Sequence, residues 1–200
     1  MHQLHNKKIV KINNRMNKKR CAWCGNDELY QNYHDEEWGK PIFDDETIFE
    51  FLVLESFQAG LSWITILRKR ENFRKAFDEF DFHKIANYSD KKLEELMENA
   101  GIIRNRLKIF ATRNNAQKFM EIQKEFGSFS KYIWGFVNHQ PIINQPKTLK
   151  DVPATSEISN ALAKDLKKRG FKFMGSTIVY AHMQATGMVN DHVIDCFARS

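Results

Sequence analysis

Residues Ala161 to Gly187 run ALAKDLKKRGFKFMGSTIVYAHMQATG, and this stretch, inside a helix–turn–helix spanning 160–187, decides the fold. Ahead of it Thr155 or Ser156 can cap a helix whose apolar residues Ile158, Leu162 and Leu166 recur at helical spacing up to Gly170. A second helix begins after Gly175 and ends near Gly187, so the two glycines bracket a short hairpin. A glycine that opens a helix lets backbone N–H groups come close to a phosphate, and the helix dipole favours the anion. Lys167, Lys168, Arg169 and Lys172 crowd the same turn and add charge for such a contact. The plain alternative is an αα-corner with a solvated basic face.

Working outward, the rest of the chain is also helical in pattern. Asp44 and Asp45 can cap a helix carrying Ile48, Phe49, Phe51, Leu52, Val53 and Leu54, apolar almost all round and therefore expected to be deeply buried. Ser62 can cap the next, with Trp63, Ile66, Leu67, Phe73 and Phe77 at helical spacing. Ser89 opens a helix with Leu93, Leu96 and Met97 on one side and Gly101 just past its end. Residues 104–126 form a long amphipathic helix stopped at Gly127, and 129–136 a short one holding Trp134 and Phe136. The stretch 138–153 holds three of the four prolines and reads as the one long connection. No period-2 alternation bounded by turns and no internal repeat interrupts this pattern. The fold class is all-α.

Two hundred residues, 42% hydrophobic, suffice for a substantial core, and 4 prolines with 9 glycines argue against a sandwich or a long disordered chain. Apolar runs such as Phe51–Leu54 are far too short to span a bilayer. Three cysteines are too few for a secreted disulfide scaffold, and the basic N-terminus lacks the apolar stretch of a signal peptide, so a cytoplasmic location is expected. The net charge of +6 is unevenly placed: residues 1–20 carry seven cations and no acid, while the other 180 carry 24 cations against 25 acids. The chain thus divides into a basic, flexible N-terminal arm over 1–20 and a single domain over 21–200. Such an arm suits a polyanion; a solvated or idle tail is the alternative.

Three groups of residues could carry chemistry. Cys21 and His34 open the folded body, and His192-x-x-x-Cys196 closes it with an i,i+4 pair on one helix face. Two thiolates and two imidazoles make a closed tetrahedral zinc set, although Cys21-x-x-Cys24 could be half of a ribbon and buried thiols with satisfied histidines would look the same. Glu55 stands at the end of the most apolar helix, where a carboxylate is costly unless paired or functional. Arg68, Arg70 and Arg74 are candidates to pair with it. The glycine turn in Gln58-Ala-Gly-Leu-Ser-Trp63 brings an indole near that carboxylate. Trp23, Tyr30, Tyr33 and Trp38 add aromatic rings, which with a carboxylate suit a flat cationic base or simply a core.

The blocks Tyr30-Gln-Asn-Tyr-His-Asp-Glu-Glu-Trp-Gly39, Leu54-Glu-Ser-Phe-Gln-Ala-Gly-Leu-Ser-Trp63, Ala100-Gly-Ile-Ile-Arg104, Phe136-Val-Asn-His-Gln-Pro141, Lys168-Arg-Gly-Phe-Lys-Phe173 and Val189-Asn-Asp-His192 follow one another in order. Together they closely resemble the DNA-3-methyladenine glycosylase I family, from about Cys21 to Cys196. The resemblance implies a helix-hairpin-helix DNA glycosylase fold whose hairpin grips the DNA backbone around Gly170, Lys172 and Gly175. It implies one structural zinc ion per chain, a snap joining the two ends through Cys21, His34, His192 and Cys196. It also implies a base pocket of Glu55, Trp63, Tyr33 and Tyr30 with Trp23 close by. Glu55 matches the family's base-contacting glutamate, with recognition assigned to it ahead of proton transfer, and Trp63 the stacking tryptophan. Gly60 and Leu61 match the loop that presses into the gap left by a flipped nucleotide.

The implied activity is hydrolysis of the N-glycosidic bond of N3-methyladenine in alkylated double-stranded DNA, in base excision repair, after the nucleotide leaves the stack. A monomer is expected, with no small-molecule cofactor and no membrane. Two departures stand out: Cys24 is an extra thiol, and Ser56 occupies a common glycine position. The place where many helix-hairpin-helix glycosylases carry an aspartate falls on Asn190 or, with a one-residue shift, on Asp191, and the resemblance implies an enzyme that manages without it.

Overall fold

The computed structural model describes residues 18–58 and 60–199, so positions 1–17 of the basic arm lie outside the described residues. Asp27 accepts from the Tyr30 N–H and caps α1 (Glu28–Glu36). Asp44 accepts from the Thr47 N–H at 2.8 Å and starts α2 (Asp45–Gln58). From Ile48 to Phe57 every residue of α2 is buried, as its apolar girth requires. There follow α3 (Trp63–Leu67), α4 (Arg70–Ala76), α5 (Phe82–Ile85), α6 (Asp90–Met97), α7 (Arg106–Phe126) and α8 (Phe129–Gly135). After the proline-bearing connection, α9 (Glu157–Lys168) and α10 (Ser176–Ala185) form the hairpin. Helices α3, α7, α8 and α10 all pack against α2, which is the axis of the molecule.

The punctuation residues act as their chemistry suggests. Ser89 accepts from the Lys92 N–H, Asn105 from Lys108 and Ser156 from Ser159, each at a helix start. Gly127 takes φ +86° and donates its N–H to the Gln123 carbonyl, ending α7 in a left-handed cap. The architecture is helical and all-α, as the periodicity indicates. No helix among the described residues is long and apolar enough to cross a membrane.

Four details depart from the sequence reading. The apolar spacing from Trp63 to Phe77 suggests one helix, but the chain breaks at Arg68-Lys69 into α3 and α4. The Lys69 N–H bonds Ile66 in a three-residue turn, while the two side chains diverge, Arg68 to Asp27 and Lys69 to the carbonyls of Ala100 and Gly101. Gly101 does not cap α6, which ends at Met97. A Cβ at Gly101 would instead stand 2.9 Å from Asn99 Oδ1 and 3.2 Å from Asn72, so close packing explains the glycine. Third, the 138–153 connection is not wholly irregular: β1 (Ile142–Ile143) pairs in parallel with β2 (Val189–Asn190), too short a ladder to leave an alternating pattern. Finally, the last three cations of the expected arm, at 18–20, are engaged with the body. Lys18 lies over the Phe197 ring, Lys19 pairs with Asp195, and Arg20 makes a two-pronged contact with Asp35 at 2.8 Å.

Asp45 illustrates how α2 organises its neighbours. Although Asp45 lies in the first turn of α2, its carboxylate accepts from the N–H groups of Phe129 and Ser130 at 2.9 and 2.8 Å and from Gln123 at 2.7 Å. One side chain thus caps α8 and ties α7 to α2. Replacing a capping aspartate by alanine costs about 1–2 kcal/mol, and here a third bond is lost as well. Asp45→Ala should therefore lower the melting temperature by several degrees, with Asp45→Asn intermediate; thermal unfolding followed by circular dichroism checks this.

Candidate functional site

The end of α2, the start of α3 and the aromatic stretch around α1 meet at a cavity of about 260 Å³. Trp23, Tyr30, Tyr33, Trp38 and Trp63 form its aromatic wall, with Glu55 at the back. Their rings interlock: Trp23 lies 4.8 Å from Tyr30 and 5.0 Å from Trp38, and Tyr33 lies 5.5 Å from Trp63. Thr177, Tyr180, Gln184 and Asp191 supply the opposite, polar wall from α10 and the strand after it. All five residues assigned to a base pocket by resemblance, Trp23, Tyr30, Tyr33, Glu55 and Trp63, line this one space.

Glu55 is 3% exposed and forms no ion pair among the described residues. The arginines that could have paired with it are committed elsewhere. Arg70 bridges Glu50 and Glu37, Arg74 pairs with Glu50 and Glu71, and Arg68 pairs with Asp27. Burial alone pushes the Glu55 carboxyl up to about 8, which favours its protonated form at neutral pH. Its Oε2 and the indole nitrogens of Trp23 and Trp63 are buried with no hydrogen-bond partner among the described residues. Buried polar atoms are rarely left so, and three at one cavity mark a place prepared for a polar ligand. Burial also raises the Tyr33 phenol, which stays neutral.

The positions flagged as departures resolve plainly. The Ser56 hydroxyl turns back to the Val53 carbonyl at 2.6 Å and contributes nothing to the cavity wall. Asn190 donates to the Arg199 carbonyl and accepts from the His192 N–H, so its amide braces the chain end. Asp191, not Asn190, faces the cavity. Its oxygens accept from Asn144 at 2.7 Å, from the Tyr180 hydroxyl at 2.7 Å and from Gln184 at 2.7 Å.

The loop after α2 and the turn between α9 and α10 do not line the cavity. Gly60 takes φ +82°, a conformation that favours glycine, and Leu61 beyond it is 40% exposed. The buried Lys108 donates to the Phe57 carbonyl at 3.0 Å and so holds the end of α2 from which that loop departs. In the hairpin Gly170 takes φ +91°, but Gly175 has an extended φ of −70°; Phe173, at φ +59°, occupies the left-handed position of the turn. Asn115 clamps the turn by accepting from the Lys172 N–H and donating to its carbonyl, both at 2.9 Å, and Asn114 holds the Gly170 carbonyl. Arg169 is not free for a phosphate, since it pairs with Asp165 and Glu125. Lys167, Lys168 and Lys172 remain exposed. Asparagines on α7 carry no motif that would reveal this clamp in the sequence.

Cys21, His34, His192 and Cys196 converge at the junction of the chain ends, all buried, with ligand atoms within 4.8 Å of one another. Cys21 Sγ is 3.5 Å from His192 Nδ1, and Cys196 Sγ is 3.3 Å from His192 Nδ1 and 3.4 Å from His34 Nε2. Ligands at about 2.3 Å (sulfur) and 2.0–2.1 Å (nitrogen) around a tetrahedral ion stand about 3.5 Å apart, so the group can hold a metal ion. The outer ring nitrogens are already held, His34 Nδ1 by Asp35 and His192 Nε2 by the Trp38 carbonyl, leaving the inner ones to face the centre. Cys24 is excluded: its thiol is directed to the Cys21 carbonyl.

Comparison with known proteins places this arrangement. The family described as methyladenine glycosylase matches residues 23–199. The DNA-3-methyladenine glycosylase of Haemophilus influenzae is 50% identical over 177 residues, covering 88% of this chain and 96% of that one. DNA-3-methyladenine glycosylase 1 of Escherichia coli is likewise 50% identical, covering 88% of this chain and 95% of that one. Among solved structures, a crystal structure of 3-methyladenine DNA glycosylase I superposes with a TM-score of 0.87 at 49% identity, covering 90% of this chain and 98% of that one. A structure concerned with 3-methyladenine recognition by the Staphylococcus aureus enzyme superposes at 0.88 with 38% identity, covering 90% of this chain and 96% of that one.

The raised Glu55 pKa makes a stability prediction with a definite sign. Between about pH 4.5, where an unfolded glutamate ionises, and pH 8, the folded chain holds a proton that the unfolded chain has lost. The stabilisation from the neutral carboxyl is therefore complete at the low end and lost as pH rises through 8. Glu55→Gln cannot ionise, so the variant should overtake the wild type in stability as pH rises, by on the order of 3–5 kcal/mol above pH 8. Denaturant unfolding of both proteins from pH 5 to 9 tests this; parallel curves would show that Glu55 has a partner.

Proposed function

The chain belongs to the methyladenine glycosylase family, and from that premise we propose that it excises N3-methyladenine from alkylated double-stranded DNA by hydrolysing the N-glycosidic bond. The observation that carries the reading is Glu55 at the back of an aromatic cavity, beside two indole N–H groups, all without a hydrogen-bond partner among the described residues. An alkylated adenine still attached to its sugar is cationic, and aromatic ring faces attract a cation. A protonated carboxyl offers one donor beside one acceptor. That pattern matches an adenine edge on which a ring nitrogen accepts next to an exocyclic amine that donates.

In the reaction the bond between the base nitrogen and the sugar carbon breaks, and its electron pair leaves with the base and cancels the positive charge. Water adds to the sugar carbon and releases a proton to solvent. Trp63 and Tyr33 hold the base flat, Tyr30 and Trp23 close the aromatic wall, and Glu55 fixes the base's edge and rejects bases that present the wrong pattern. Asp191, already satisfied by three donors, holds the polar wall in place. Gly60 and Leu61 fill the gap left in the stack, and the hairpin around Gly170, Lys172 and Gly175 holds the backbone. A single chain builds the whole cavity, so the enzyme acts as a monomer. Cys21, His34, His192 and Cys196 would hold one zinc ion, which would join the chain ends and take no part in the hydrolysis.

The direct test is a base-release assay on methylated duplex DNA with chromatographic identification of the product, which should be free 3-methyladenine. Stacking on an aromatic contributes about 1–3 kcal/mol per base, so Trp63→Ala should weaken binding of free 3-methyladenine about five- to hundred-fold. In the wild type, affinity should fall as pH rises past 8 and Glu55 ionises. Glu55→Gln keeps a donor beside an acceptor and should show no such fall, which calorimetric titration at pH 6.5 and 9 can compare. Elemental analysis should find one zinc per chain in protein purified without chelator, and stripping it should lower the melting temperature; zinc-free protein of unchanged stability would remove that assignment.

A further inference from the structure

The wall of the cavity contains a segment that neither the aromatic cluster nor the hairpin accounts for. The connection before α9 contributes Leu149, Val152, Pro153 and Ala154 to the lining. Leu149 both lines the cavity and is 51% exposed, so it stands at the mouth. It is flanked by Lys147 and Lys150, and all four residues of Lys147-Thr-Leu-Lys150 are exposed. An exposed leucine is unremarkable alone; one set between two cations at the opening of a ligand cavity is a particular combination.

The segment is also fixed in place. Asp151 Oδ2 accepts from the Lys147 N–H at 3.1 Å, from the Thr148 N–H at 2.8 Å and from the Thr148 hydroxyl at 3.1 Å, closing the turn on itself. Just ahead, the Pro146 carbonyl accepts from the Ile194 N–H, and Asn144 binds both the Asn190 carbonyl and the Asp191 carboxylate. Neither lysine ammonium forms an ion pair or donates a hydrogen bond among the described residues. Asp151 draws on the charge of Lys147, but its Oδ2 is occupied by the turn.

We propose that Lys147-Thr148-Leu149-Lys150 is a third DNA-contacting element. In this arrangement Lys147 and Lys150 take phosphates of the lesion-bearing strand, and Leu149 covers the sugar of the extruded nucleotide at the mouth of the cavity. The inference rests on the reading of the cavity as a site for a base still attached to DNA. The chemistry favours this partner: paired cations need anions beside the opening, and the apolar tip needs the uncharged face of a sugar between them. The element lies on the side of the mouth remote in sequence from Leu61, so the two leucines would border the extruded nucleotide from different parts of the chain.

The test uses the full chain and binding to an undamaged duplex, measured as a function of salt. Each phosphate contact contributes about 0.9 to the slope of log affinity against log salt. The double variant Lys147→Gln/Lys150→Gln should therefore flatten the slope by about 1–2, while Lys147→Arg/Lys150→Arg keeps it. Leu149→Ala should leave the slope unchanged but slow single-turnover excision from methylated duplex about five- to tenfold, as expected for loss of a half-buried leucine contact. An unchanged slope in the glutamine variant, or an equal loss in the arginine variant, would overturn the proposal. A wild type that binds duplex with the expected salt dependence yet releases no base would instead overturn the function, leaving the loop result intact.

Discussion

Burying a helix on every side obliges each polar group it carries to find a partner within the protein. Helix α2 meets that obligation almost throughout. Its first-turn Asp45 is satisfied by the start of α8, Glu50 by Arg70 and Arg74, and the Phe57 carbonyl by Lys108 from α7. The partners come from three different helices, so satisfying α2 largely dictates how those helices are arranged. Glu55 is the exception. It lies on the same buried axis, within one turn of Phe57, and nothing among the described residues completes it. A buried carboxyl left without a partner on this axis, beside the likewise unpartnered indoles of Trp23 and Trp63, is what turns a core into a binding site.

How much of this is legible in the sequence depends on whether the determining interaction is local. Caps and stops are local: Asp44, Ser89, Ser156 and Gly127 act within a turn of themselves, and their residue types reveal them. The aromatic pocket is legible for another reason, since Glu55 violates the apolar pattern around it and a violation is conspicuous. The four metal ligands can be named from residue type, but their convergence cannot, because it depends on how the whole body folds. The misses share that character. The break at Arg68-Lys69 is set by carbonyls at Ala100 and Gly101, and the hairpin clamp by asparagines more than fifty positions away. The positive φ of Phe173 in the hairpin turn is likewise invisible, because its residue type gives no sign of it.

The two polar networks around the cavity have different characters, and the difference matters for selectivity. On the α10 side Asp191, Tyr180, Gln184 and Asn144 satisfy one another, making a wall that asks nothing of a ligand. On the α2 side Glu55, Trp23 and Trp63 present unmet hydrogen-bonding groups in a desolvated setting. A ligand that fits the space but lacks the complementary edge leaves those groups buried and unmatched. Sites built to hydrogen-bond discriminate strongly for this reason, more so than sites that only measure size.

The cavity also draws its walls from both extremities of the chain, with Trp23 beside Cys21 on one side and Asp191 beside His192 on the other. Synthesis runs from Trp23 towards Asp191, so the aromatic side of the cavity is made well before the polar side that completes it. No truncated or stalled polypeptide lacking that last stretch can assemble a competent pocket, however well its central helices have formed. Such a chain would still carry the helices of the hairpin, Glu157–Lys168 and Ser176–Ala185, and with them a means to hold the backbone, but no complete cavity in which to read a base.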